Sequence, residues 1–114
     1  MATEVQNGTT AALTIGSATA LNTTINAAGT YLVEVDLSNA QDGDAGEVWE
    51  EKKVTSGASS AIKGLAPAGF GGPAPGTRRL VTLPVVCAAN EALTFYIKQT
   101  AGSGRTFPWS VKSL

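Results

Sequence analysis

The run Asp42-Gly43-Asp44-Ala45-Gly46-Glu47, with Asp36 upstream, is the densest set of potential oxygen ligands in this chain. Hard cations such as Ca²⁺ are held by carboxylate and carbonyl oxygens, and such a run offers both. It lacks the third Asp or Asn, the ordered spacing and the terminal Glu of an EF-hand loop. It therefore reads as a solvated hairpin loop, in which Asp and Gly serve turn geometry. Glu47, Glu50 and Glu51, together with Asp36, are the candidates for the paired carboxylates of glycoside hydrolysis. Most of them sit in a charged strand, where solvation explains them better. The chain has no His and one Cys, so neither a Ser-His-Asp triad nor a zinc site can be assembled. Ser110 and Lys112 form a Ser–Lys spacing with no supporting motif. No catalytic residue, metal or cofactor is expected, and the chain reads as a non-enzyme.

Side chains suited to contact remain. Trp49 and Trp109 have faces that stack on sugars or pack into cores. Trp109 alternates with Phe107 and Val111 and is assigned to the core, whereas Trp49, if exposed, is a candidate for glycan or protein contact. Phe70 stands between Gly69 and Gly71 in a Gly/Pro-rich stretch, residues 64–79, which also contains Pro73. It is either an anchor for a partner's pocket or a residue that folds back on its own sheet. Arg78 and Arg79 close that stretch and could pair with acidic groups of a partner or simply be solvated. The partner-contact candidates are thus Trp49, Phe70, Pro73, Arg78 and Arg79. Cys87 lies in the apolar run Leu83-Pro84-Val85-Val86-Cys87-Ala88 and reads as a small buried hydrophobe.

The elements that must position these groups are strands. Apolar and polar residues alternate with period two over residues 30–37, 92–99 and 105–112, the signature of strands with one buried face. Residues 11–15 and 18–25, rich in Thr and Ala and split by Gly16-Ser17, read as two more. Residues 47–55 carry Val48, Trp49 and Val54 among charges, with an alternation broken as at a bulge or a guarded edge. In residues 79–87, Val81, Leu83 and Val85 are expected on one face, and Pro84 implies an edge or a bulge. Residues 1–10 are polar and patternless, an extended arm that a neighbouring subunit could hold. The stretch 64–79, with its Gly and Pro, reads as a long loop. About eight short strands without a convincing helix predict an all-β class: a single-domain antiparallel β-sandwich over residues 11–114, with a jelly roll among its possible forms.

Composition narrows the function further. A chain of 114 residues is one domain by length. Charged residues make up 15%, against a typical value of about 25%, so solubility leans on Thr, Ser, Asn and Gly. Such a weakly charged surface suits packing against other subunits. The net charge of −1 with scattered basic residues gives no footprint for nucleic acid. No opening of basic then apolar residues marks a signal peptide, and no apolar run approaches the ~20 residues of a membrane span. Synthesis in the cytoplasm is expected.

Two segments carry a resemblance. Residues 24–39, from Thr24-Ile25-Asn26-Ala27-Ala28-Gly29-Thr30-Tyr31 to Leu37-Ser38-Asn39, lead a turn into a strand bearing an aromatic. Residues 98–111, Lys98-Gln99-Thr100-Ala101-Gly102-Ser103-Gly104-Arg105-Thr106-Phe107-Pro108-Trp109-Ser110-Val111, finish on a Trp strand. In style the chain resembles small β-rich virion proteins of tailed bacteriophages, most of all capsid decoration (cement) proteins. The likeness spans most of residues 24–112 and rests on no diagnostic motif. It implies a virion structural protein on the capsid exterior that binds the major capsid protein and itself, as a homotrimer or other symmetric cluster. A tail or head-fibre component, and a carbohydrate- or receptor-binding module, are the alternatives.

Overall fold

The computed structural model describes residues 2–71 and 78–114. Among them the chain forms ten strands: β1 Thr3–Thr9, β2 Ala18–Ala20, β3 Gly29–Asp36, β4 Ala45–Lys52, β5 Ile62–Lys63, β6 Ala68–Phe70, β7 Arg79–Val81, β8 Val85–Cys87, β9 Leu93–Ala101 and β10 Pro108–Ser113. They make two antiparallel sheets. The first runs β1-β10-β3, with β7 and β8 both along the free side of β3. The second runs β2-β9-β4, with β5 and β6 both along the free side of β4. The pairing is nested: β1 with β10, β2 with β9, β3 with β7 and β8, β4 with β5 and β6. This is one long hairpin rolled up on itself, the strand order of a jelly roll, and it makes the all-β sandwich expected from the periodicity.

Period-two alternation decides which residues enter the core. On β3, Tyr31, Val33 and Val35 are buried, and on β9 so are Leu93, Phe95 and Ile97; Val48 and Val111 join them from β4 and β10. Burying each such side chain is worth roughly 1.5–3 kcal/mol. Phe107, fully buried just before β10, completes the centre. Trp109 is partly buried and packs against this core, with its indole over Gly8 of β1, where a Cβ would lie 3.0 Å from the ring.

Several elements differ from the sequence expectation, for one recurring reason. Where the backbone leaves the ladder, a short polar side chain takes its place. Residues 11–15 and 18–25 were expected as two strands, but only Ala18–Ala20 is regular. At Asn22, which is buried, the carboxamide oxygen accepts from the Phe95 N–H at 2.7 Å. Strand-like pairing returns only at the isolated bridge of Ile25 to Leu93. Residues 79–87 were expected as one strand with Val81, Leu83 and Val85 on one face. Instead Leu80 and Thr82 point in, the chain shifts phase at Pro84, and Val85 and Cys87 point in beyond it. Val81 and Leu83 are 41% and 70% exposed. The Thr82 hydroxyl accepts from the Val33 N–H at 3.0 Å, bridging the gap between β7 and β8. Such an irregularity is what an edge strand tolerates and a central one does not.

Residues 1–10, read as an arm, supply β1 along the outer side of β10, with a register shift between Glu4 and Gln6. Gln6 also exchanges two hydrogen bonds with the backbone of Thr23, at 2.8 and 2.9 Å. The long stretch 64–79 contains β6, which pairs Phe70 with Gly46, Gly69 with Glu47 and Ala68 with Val48. Gly46 is needed there: a Cβ would lie 2.5 Å from the Lys98 carbonyl oxygen and 2.8 Å from the Phe70 ring.

Candidate binding groove

The acidic run forms structural bonds. Asp44 is buried, and its carboxylate accepts from the Arg105 guanidinium at 2.8 Å, from the Gln41 N–H at 2.8 Å and from the Ser103 N–H at 3.2 Å. Burial works to raise its pKa, but the Arg105 bond and the two backbone donors outweigh it, so the carboxyl lies below its ordinary range. Asp44 thereby ties the loop after β3 to the turn between β9 and β10. In that turn the buried Gln99 carboxamide donates to the Ala101 and Ser103 carbonyls and accepts from the Arg105 N–H. Among the described residues, no three acidic or Cys side chains are grouped as metal ligands.

The other carboxylates are dispersed. Asp36 ends β3 in one sheet, while Glu47, Glu50 and Glu51 lie on β4 in the other. Glu47 pairs with Lys63 at 3.2 Å, and Glu51 accepts from the Trp49 indole N–H at 3.0 Å. Trp49, considered a contact if exposed, is 4% exposed. Its ring stacks on Tyr96 at 5.9 Å between centroids, and the Lys63 ammonium stands 4.3 Å from its centroid. It offers almost no face to a sugar. Ser110 and Lys112 do meet, with Nζ 2.7 Å from Oγ. The Lys112 ammonium donates to the Ser110 hydroxyl and is also ion-paired to Glu34 at 3.3 Å.

The contact candidates at the end of the Gly/Pro stretch do come together. Phe70, Arg78 and Arg79, with Leu37, Gly69, Gly71 and Leu80, line a cavity of about 300 Å³ where β6 of one sheet passes β7 of the other. Phe70 is half-buried and packs edge-to-face on Phe107, with centroids 5.7 Å apart. It therefore folds back on its own core while still lining the cavity. Pro73 lies outside the described residues. Arg78 and Arg79 also wall a second, more open groove of about 450 Å³, lined by Glu34, Asp36, Ser38, Pro108 and Ser110 on the outward side of the first sheet. The two arginines stand where the cavities meet.

Two arginines and two carboxylates, those of Glu34 and Asp36, wall the larger groove. Arg79 reaches Glu34 only at 3.8 Å, and Glu34 is shared with Lys112. Arg78 is exposed and has no ion pair or side-chain hydrogen bond among the described residues. Its backbone carbonyl accepts from the Leu37 N–H, which fixes the base of the side chain. Asp36 turns inward on Ser38, accepting from its hydroxyl and its N–H, and these two bonds hold its carboxyl below its ordinary range.

Sequence reasoning singled out Phe70, Arg78 and Arg79 but not Leu37, Leu80, Pro108 and Ser110 as their neighbours. The nested pairing of β3 with both β10 and β7 brings those together. One signal was available: Glu34, Ser110 and Lys112 occupy the non-core phase of their strands.

Fold and groove together define an all-β sandwich with a groove at one edge that two arginines wall. Comparison with family models, with curated proteins and with solved structures finds no match.

Proposed function

We propose that this protein is a non-enzymatic virion structural protein of a bacteriophage, which decorates and stabilises the capsid by binding the major capsid protein. The observation that carries the reading is the convergence of Phe70, Arg78 and Arg79 on one groove, held by a closed sandwich. Along the β7–β8 edge that starts at Arg79, Val81, Leu83 and Val86 are exposed at 41%, 70% and 67%. A row of exposed apolar side chains on the same edge as a groove with charged walls suits a surface that packs against protein. The resemblance of residues 24–112 to decoration proteins supplies the virion setting. A jelly-roll order recurs in capsid and lectin domains alike, and by itself it assigns no role.

On this reading the protein forms a homotrimer or another symmetric cluster on the capsid exterior. Its hold on the shell is the sum of modest contacts multiplied by avidity. The test is co-sedimentation with capsids lacking the protein, with light scattering on the isolated chain. Saturation at a fixed ratio to the capsid subunit, by a symmetric oligomer, is the expected result. A monomer that stays in the supernatant would sink the proposal.

A further inference from the structure

We infer that the side of the sandwich formed by β5 and β8 is the face on which two copies of this chain meet across a two-fold axis. The inference rests on the self-association proposed above and names the surface that carries it.

The apolar strip on that side bridges both sheets. Ile62 lies opposite Lys52 in the β4–β5 ladder, and the Lys52 ammonium donates to the Val86 carbonyl of β8 at 2.9 Å. Ile62 and Val86 thus flank one lysine from opposite sheets. Leu83 precedes Val86 along the same edge, and Leu65 follows β5 just past Gly64, whose N–H donates to the Glu50 carbonyl. Ile62 and Leu65 are 60% and 100% exposed, alongside the exposed Leu83 and Val86. The strip centres on the Lys52 end of β4 and the Gly29 end of β3, whereas the arginine groove stands at the Gly46 and Asp36 ends.

Charge and area select a second copy as the occupant. Lys52 is ion-paired to Glu91 at 3.0 Å, and Lys63 turns away over the Trp49 ring to reach Glu47 at 3.2 Å. Both lysines have partners within the chain, so a dry contact strands neither. Four aliphatic side chains this exposed offer about 500 Å² on one copy, so two copies bury about 1,000 Å² before any polar rim is counted, the threshold of a specific interface. A two-fold axis sets the strip against itself, apolar on apolar. Val5 and Ile15, on β1 and in the loop before β2, are at the opposite edge. They are too few and too little exposed to give a head-to-tail ring its complementary face.

Light scattering and sedimentation equilibrium on the full chain test this with the double variant Leu83→Glu, Val86→Glu. The parent is expected to be a dimer and the variant a monomer, because four carboxylates would meet across the axis and raise the dissociation constant at least about tenfold. Both side chains are exposed, so circular dichroism of the variant should match the parent. Val5→Glu, at the opposite edge, should leave the parent's mass unchanged. A monomeric or trimeric parent, or a double variant that keeps the parent's mass, overturns the inference. So does a monomer that co-sediments with capsids and loses that binding in the double variant, which would assign the strip to the capsid subunit. An oligomer indifferent to the double variant that still saturates capsids leaves the virion reading standing. A strip-dependent dimer that ignores capsids overturns only the virion reading.

Discussion

Asp44 shows how one side chain can look like a ligand in sequence and act as a tie in structure. Its carboxylate joins Arg105, Gln41 and Ser103, three groups from two separate loops. Because its folded pKa lies below the unfolded value near 3.9, its contribution to stability is full above that value and is lost as pH falls through the folded pKa. Asp36 and Glu91 shift in the same direction, Asp36 chiefly through the Ser38 hydroxyl and Glu91 chiefly through the Ala88 N–H. The sandwich should therefore be acid-labile below about pH 4. Asp44→Asn is expected to cost about 1–3 kcal/mol at pH 7, with the gap to the parent closing as pH drops below 4. Urea melts at pH 7 and pH 3 check this, and an unchanged gap at both would contradict it.

At the scale of the element, side chains repair ladders that the backbone leaves open. Thr82 and Thr10 both accept from main-chain N–H groups, of Val33 and Phe107, each at 3.0 Å, and Asn22 does the same for Phe95. All three are buried. The Thr- and Asn-rich composition, which reads in sequence as a way to stay soluble, thus serves partly inside the sandwich. Thr82→Val keeps the shape and removes the acceptor, leaving the Val33 N–H unsatisfied in the middle of β3. A loss of about 1–3 kcal/mol is expected by thermal or chemical denaturation. A variant as stable as the parent would mean that the hydroxyl is dispensable and that the β7–β8 edge is held by packing alone. Ala92 gives the opposite case. It adopts φ 51° in the turn before β9, a left-handed conformation costing an alanine about 1 kcal/mol. Ala92→Gly should raise the melting temperature by a few degrees.

At the scale of the molecule, nesting dominates. The first strand pairs with the last, and the second with the last but one, so the sandwich closes only when distant parts of the chain meet. Loop closure must precede most of the stabilising contacts, and folding on the order of milliseconds to seconds is expected. Stopped-flow refolding from urea measures it, and microsecond folding would show that local hairpins carry more of the stability than the topology implies. The same nesting places β5 and β6 beside β7 and β8 along one side of the sandwich. That side gathers the exposed apolar residues Ile62, Leu65, Leu83 and Val86 and the arginine groove. It is the side on which variants should affect partner binding most.

The sequence by itself determined the class of the fold. Period two over residues 30–37, 92–99 and 105–112 is a local property, set by which side chains can face a core, and those strands stand within a few residues of their expected limits. It also singled out Phe70, Arg78 and Arg79, because a large ring between glycines and two adjacent arginines are conspicuous in any setting. Tertiary structure alone decided the rest. Which strands pair depends on contacts far apart in sequence, and a one-residue phase shift such as the one at Pro84 turns every later side chain to the other face. Burial of Trp49 depended on Tyr96 and Lys63, from two other strands. The groove exists because β3, β7 and β10 meet: its lining is gathered from residues that no local window contains.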